Sequence, residues 1–260
     1  MSGKPLAMVT GASSGIGWAF ATRLAEEGYA VCAVARREDR LEQLVGHLPG
    51  AGHSYLAADL ANDEDLAAVG AELSTGAYQL LVNNAGLSVM EPFGEAPLAA
   101  EQNLLNVNIN AVVALAHAFL AHGAEGDALV NVGSVVSYLP TPAMAAYSGS
   151  KAFITTFSEC LWSQQRERGV YVMALCPGMT ETEFISAATE GESDFSSLPD
   201  AMVQSPEEVV SEALQALDRR RDAVVVTGRS NRLLSQLPRL MSRSRLIRLM
   251  SKMGDPEDRL

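Results

Sequence analysis

The sequence predicts an α/β fold: a doubly wound parallel sheet of about seven strands, with helices on both faces and a helical appendage at the C-terminal end. Three observations predict it. Short apolar runs alternate with longer segments of helical spacing from residue 6 to residue 226. The first run ends in a glycine turn, Gly11-x-x-x-Gly15-x-Gly17, that opens a helix. Beyond residue 230 the alternation stops, and apolar and basic positions interleave instead.

The elements follow in order. Residues 6–10 form a short apolar run that reads as a buried strand. Residues 15–28 carry Ile16, Phe20 and Leu24 at helical spacing and stop at a glycine. Residues 30–35 are a second buried strand, followed by a charged helix over 38–46. A strand at 53–57, an acidic helix from 63 and a strand at 79–82 complete the first half. The second half reads as a long helix over 98–122, a strand at 128–132, a helix over 143–168 and a strand at 170–175. A helix at 206–218 and a strand at 223–226 close the sheet. Strands separated by helices of this length make βαβ units, which are parallel.

Composition sets the outer bounds. A chain of 260 residues, 48% hydrophobic and 19% charged, buries one full α/β core. We expect residues 1–230 to form a single α/β domain and residues 231–260 a basic amphipathic extension. The first residues lack an apolar signal region, and no apolar run looks long enough to span a bilayer, so a cytoplasmic protein is expected. Cys32, Cys160 and Cys176 are widely separated and read as reduced, buried thiols. The four histidines are scattered, and no metal site is expected. A net charge of -12 argues against nucleic acid as a partner. The charge is uneven, however. Residues 218–260 hold 11 basic against 5 acidic residues, a net of +6; the remainder holds 8 against 26, a net of -18.

The glycine turn points to a dinucleotide. Gly11, Gly15 and Gly17 let the backbone approach a pyrophosphate, and the helix N-terminus behind them, from Ile16 on, offers free N–H groups and a positive dipole end. Ser13 and Ser14 add hydroxyl donors. The end of the second strand then selects the dinucleotide. An NAD site presents an acid there to the ribose 2′-hydroxyl, whereas this chain presents Arg36 and Arg37. A guanidinium fork suits a 2′-phosphate, so NADP(H) is expected over NAD(H).

With these residues in hand, the chain resembles the short-chain dehydrogenase/reductase family in its short, single-domain form, over about residues 5–227, which implies a Rossmann-type fold. Thr10-Gly-Ala-Ser-Ser-Gly-Ile-Gly17 is similar to the family's cofactor loop. Asp59-Leu60 resembles its adenine-contacting pair, and Asn83-Asn84-Ala85-Gly86 its sheet-stabilising turn. Asn108, Ser134, Tyr147 and Lys151 match its active-site positions, and Pro177, Gly178, Thr180 and Thr182 its nicotinamide-side loop. Ala111 stands where the family more often has glycine. The resemblance implies an oxidoreductase that pairs into a homodimer or homotetramer through the helices at 98–122 and 143–168.

The chemistry fits those residues. Reducing a carbonyl needs a hydride on carbon and a proton on oxygen. A phenol is a proton donor at neutral pH, and a nearby ammonium lowers its pKa. Tyr147 and Lys151, four residues apart, share one helix face. Such acid–base help is worth roughly 10²–10⁴ in rate. Ser134 would hold the substrate oxygen against Tyr147, and Lys151 would also grip the nicotinamide ribose. By resemblance, Asn108 would hold a water linking Lys151 to solvent. An alcohol dehydrogenase running oxidatively, and a non-catalytic NADP(H)-sensing protein, stand as alternatives.

Substrate walls in such a fold come from loops at the carboxyl ends of the strands. Here these supply Leu87, Met90, Val136, Met144, Met179 and Phe184, which suits a small apolar ketone, aldehyde or alcohol. Residues 189–200 read as a lid. The segment 231–253 alternates leucine, isoleucine and methionine with arginine, and Pro238 is expected to break it into two helices. Three readings stand for it: packing on the acidic body or a partner subunit, peripheral contact with an anionic membrane, or a substrate lid.

Overall fold

The computed structural model describes residues 4–75, 77–139, 141–183 and 203–254. Seven of the apolar runs become strands of one parallel sheet: β1 (Leu6–Thr10), β2 (Ala30–Ala35), β3 (Ser54–Ala57), β4 (Tyr78–Asn83), β5 (Ala128–Val132), β6 (Tyr171–Cys176) and β7 (Val224–Val226). Their order in the sheet is β3-β2-β1-β4-β5-β6-β7. The winding direction reverses between β1 and β4, which opens a crevice at their carboxyl ends. The expected Rossmann-type architecture is therefore present.

Alternation along each strand explains the two helical layers. In β1, Ala7 and Val9 face one side and Met8 the other. The first side is covered by α1 (Gly15–Glu26), α2 (Glu38–His47) and, from the end of the second half, α7 (Pro206–Arg219), through Phe20, Leu24, Leu41, Leu44, Val209 and Val210. The opposite side is covered by α3 (Asp63–Leu73), α5 (Val112–His122) and part of α6 (Ala145–Gln165), through Val69, Leu73, Leu115, Phe119 and Phe157. Strands covered on both faces need no polar alternation, which is why β2 reads as Ala-Val-Cys-Ala-Val-Ala and is buried throughout.

The long helix expected over 98–122 is continuous but not uniform. α4 (Leu98–Leu105) runs into α5 through a π-helical stretch, Asn106–Ala111. The segment is 25 residues long and its most apolar 18-residue window has a mean hydropathy of 1.7, so by length and composition it is long and apolar enough to cross a bilayer, which corrects the sequence reading. Half of its most apolar window is buried inside the fold.

Three further details differ from expectation. Two-residue strands, Met179–Thr180 and Val203–Gln204, pair in parallel beside the sheet. Cys160 is exposed on α6, while Cys32 and Cys176 are buried, and all three thiols are free. The C-terminal segment forms three short helices: α8 (Arg229–Leu234), α9 (Leu237–Leu240) and α10 (Arg243–Gly254). Pro238 sits in the first turn of α9, where its missing N–H costs nothing, so it starts a helix rather than breaking one.

Candidate active site

The glycine turn between β1 and α1 is held by contacts that only glycine permits. Gly11 and Gly15 take positive φ, 65° and 53°. A Cβ on Gly17 would lie 2.3 Å from the carbonyl oxygen of Gly11. Asn84 closes the turn from β4 by donating from Nδ2 to the carbonyls of Thr10 and Gly11 at 2.9 and 3.3 Å. The backbone N–H groups of Asn84 and Ala85 both donate to Thr10 Oγ1 at 3.0 Å. The glycine loop and Asn84-Ala85-Gly86 thus form one unit at the switch point of the sheet.

The donor set of this crevice fits an anionic dinucleotide. Ser14 makes no side-chain cap on α1, and no acid of the helix itself occupies its first turn, so the helix N-terminus is suited to an anion. Ile16 packs on the core beneath. Of the two arginines, Arg37 is the one brought to the loop: Nε and Nη2 donate to Ser13 Oγ at 3.2 and 3.0 Å, and Nη2 to Ser14 Oγ at 2.9 Å. Arg36 is exposed. A cleft of about 310 Å³ opens beside them, bounded by Ser13, Gly15, Arg40, Thr182 and Glu183 among others. Asp59 is fixed by its own turn, accepting from Ala61 N–H at 3.1 Å, and Leu60 is buried.

At the other end of the crevice, α6 and β5 assemble the second half of the site. Tyr147 and Lys151 lie one helical turn apart and are both buried. The Lys151 ammonium is 5.7 Å from the centre of the Tyr147 ring and donates to the Val132 carbonyl at 2.9 Å. Ser134 follows β5, and its hydroxyl hydrogen-bonds the Tyr147 side chain. Asn108 lies inside the π-helical stretch, the kind of local distortion that re-aims a side chain. It accepts from Leu87 N–H at 2.8 Å and donates to the Leu87 carbonyl at 2.9 Å and to Ser150 Oγ at 3.1 Å. Ser150 in turn donates to the Tyr147 carbonyl at 2.7 Å, linking Asn108 to the Tyr–Lys turn. A Cβ on Gly86 would lie 3.5 Å from both Asn108 Oδ1 and Lys151 Nζ, so Gly86 adjoins this cluster.

Burial dominates the electrostatics. Desolvation pushes the Tyr147 phenol up to about 12, against a smaller lowering by its bond to Ser134. The expected lowering by the ammonium does not prevail over the phenol's own burial, and desolvation also pulls Lys151 down to about 8. Burial raises the Cys176 thiol to about 11, so it is a neutral thiol beneath the site, 3.6 Å from Thr155 Oγ1.

The remaining predicted positions fall on loops at the same edge of the sheet. Leu87, Val136 and Met144 are half-buried, and Met90 and Met179 are exposed. Phe184 and the lid segment 189–200 lie outside the described residues. Pro177 is buried, and its carbonyl accepts from Val135 N–H at 3.0 Å. Thr180 donates to the Gly178 carbonyl at 3.2 Å and Thr182 to the Thr180 carbonyl at 3.4 Å. Asn231, which sequence reasoning passed over, packs directly onto Gly178, where no side chain would fit, and donates to the Thr227 carbonyl at 3.0 Å. α10 lies against the turn Pro142–Met144, just before Tyr147, with Leu246 fully buried. Ser150 and Glu183 were also missed: a serine inside Tyr-Ser-Gly-Ser-Lys and a glutamate in an acidic loop carry no signal until the fold brings their partners up.

A parallel seven-stranded sheet, a glycine turn at its switch point and a buried Tyr–Lys turn define a nucleotide-dependent oxidoreductase, and the comparisons agree. The short chain dehydrogenase family matches residues 5–193. The chain is 37% identical over 200 residues to the serine 3-dehydrogenase of Rhizobium radiobacter, covering 75% of this chain and 79% of that one. A short-chain dehydrogenase from Sphingobium yanoikuyae, solved in complex with NADPH, superposes with a TM-score of 0.79 at 33% identity, over 92% of this chain and 95% of that one. The bulky-bulky ketone specific alcohol dehydrogenase of Comamonas testosteroni superposes with a TM-score of 0.75 at 30% identity, over 93% and 95%. The chain belongs to the short-chain dehydrogenase/reductase family.

Proposed function

We propose that this protein reduces small apolar ketones or aldehydes with NADPH, with Tyr147 as the proton donor. The observation that carries this reading is the buried phenol of Tyr147, held protonated by desolvation, hydrogen-bonded to Ser134 and set over the Lys151 ammonium. A phenol with its pKa near 12 gives up a proton only to an oxygen that is becoming an alkoxide, which is the demand of reduction. Ser134 holds the substrate oxygen in hydrogen-bonding reach of the phenol. Lys151 contributes a positive charge under the ring and a donor toward the ribose. Asn108 and Ser150 fix the backbone at Leu87 and Tyr147, so the two sides of the crevice keep their spacing. NADPH, when bound, supplies the hydride.

Arg37, with Ser13 and Ser14, forms the seat for the 2′-phosphate, and the NADPH complex of the Sphingobium relative supports that choice. Residues 134–146 carry no charged side chain to pair with a carboxylate or ammonium, which favours an apolar substrate, and the ketone named for the Comamonas relative supports a carbonyl of that type. α10 walls the same loop, consistent with the lid reading of the tail. Leu98, Leu105, Val113 and Phe153, exposed on α4 to α6, suit the subunit pairing expected of this family. NADPH oxidation across a panel of apolar and charged carbonyls, with NADH as the control, tests the reading. Turnover of the apolar members with NADPH supports it; turnover confined to charged carbonyls, or equal use of NADH, contradicts it.

A further inference from the structure

The guanidinium of Arg37 does not wait open for a phosphate. While Nε and Nη2 hold Ser13 and Ser14, Nη1 donates to Glu183 Oε2 at 2.8 Å. The second carboxylate oxygen of Glu183 accepts from Arg40 Nη2 at 3.4 Å. This is no local helical pair: Glu183 lies 146 residues beyond Arg37. It arrives because the turn after β6 lies over the glycine loop, where Thr182 Cγ2 stands 2.8 Å from the position of a Cβ on Gly15. The hydrogen bond from Arg37 holds the Glu183 carboxyl below its ordinary range, so it is ionised at neutral pH.

A ribose 2′-phosphate needs the same donors, and a carboxylate left among them would repel it. We propose that Glu183 is an internal competitor for the 2′-phosphate: its carboxylate occupies the position on Arg37 and Arg40 that the phosphate takes, and it leaves when the phosphate arrives. The proposal rests on the assignment of Arg37 as the phosphate seat. Glu183 is then a specificity-determining residue that works by opposition. It weakens NADP(H) binding and leaves NAD(H), which brings no phosphate to the arginine, little affected. Both partners are nearly half exposed, 44% and 49%, so the pair is partly screened and its displacement tunes affinity rather than blocking it.

The test is direct binding of NADPH and NADH to the full chain, by calorimetry or fluorescence, for the native protein and for Glu183→Gln, Arg37→Ala and the double variant. The proposal expects Glu183→Gln to tighten NADPH binding by about three- to tenfold, with NADH within about twofold. Glu183→Ala repeats the gain, and the gain vanishes in the Arg37→Ala background. An unchanged ratio of NADPH to NADH affinity in Glu183→Gln overturns the proposal. So does weaker NADPH binding, which would make Glu183 a clamp over the bound cofactor. The two readings fail differently. If Arg37→Ala leaves the NADPH to NADH ratio unchanged, the phosphate seat itself is wrong and the proposal falls with it. If Arg37→Ala abolishes the preference and Glu183→Gln does nothing, only the competitor role is lost.

Discussion

The Lys151 ammonium lies 5.7 Å from the centre of the Tyr147 ring and gives its hydrogen bond to the Val132 carbonyl at 2.9 Å. It therefore tethers α6 to the end of β5 as well as charging the site, and both groups are buried. That burial leaves opposite marks on the two: the phenol is raised and the ammonium lowered.

The lowered pKa of Lys151 is a statement about stability. Its folded value of about 8 lies below the ordinary 10.5, so between those values the unfolded chain binds more protons than the folded one, and stability rises with pH across that window. Below pH 8 the full penalty applies, on the order of 3 kcal/mol. Lys151→Met is expected to melt several degrees higher than the native protein at pH 7, with the advantage shrinking toward pH 10. Thermal melts across that range check it.

Asn108 is buried and makes three side-chain hydrogen bonds, two of them to the backbone of Leu87. Asn108→Ala leaves those groups unpartnered and is expected to cost about 2–4 kcal/mol of stability. Loss of the link through Ser150 to the Tyr147 carbonyl also lets the site slacken. Turnover is expected to fall about 100-fold, with NADPH affinity little changed. Urea titration and steady-state kinetics read the two effects separately.

Gly17 is the position in the cofactor loop with least room. Gly17→Ala puts a methyl group 2.3 Å from a backbone oxygen that cannot swing aside, so the turn must open. NADPH binding is expected to weaken by at least about tenfold. Calorimetric binding to the variant is the check, and affinity equal to that of the native loop would refute the account of the turn.

The seven-stranded sheet was legible because parallel strands buried on both faces read as unbroken apolar runs, and the runs at 6–10, 30–35 and 128–132 match strands residue for residue. Ser13 and Ser14 are read from the glycine turn and Asn84 and Gly86 from the family resemblance, and the fold brings all four to the carboxyl ends of β1 and β4. What escaped depends on contacts across the chain. Nothing local marks Asn106–Ala111 as π-helical, since the apolar period continues through it. Asn231 acquires meaning only when α8 docks on Gly178, and Glu183 only when its turn reaches Arg37. The ammonium's effect on the phenol was overestimated because a spacing of four residues fixes proximity but says nothing of desolvation, which here shifts both groups more strongly.

The most direct test of the central claim is a comparison of Tyr147→Phe with the native protein on the best carbonyl substrate, with turnover and NADPH affinity measured together. Phenylalanine keeps the ring and its place beside Lys151 and removes the hydroxyl, and with it the proton and the bond to Ser134. The account predicts that kcat falls by at least about 10³-fold while the NADPH dissociation constant changes little. Turnover within about tenfold of the native value, on a folded variant that binds NADPH, would contradict it.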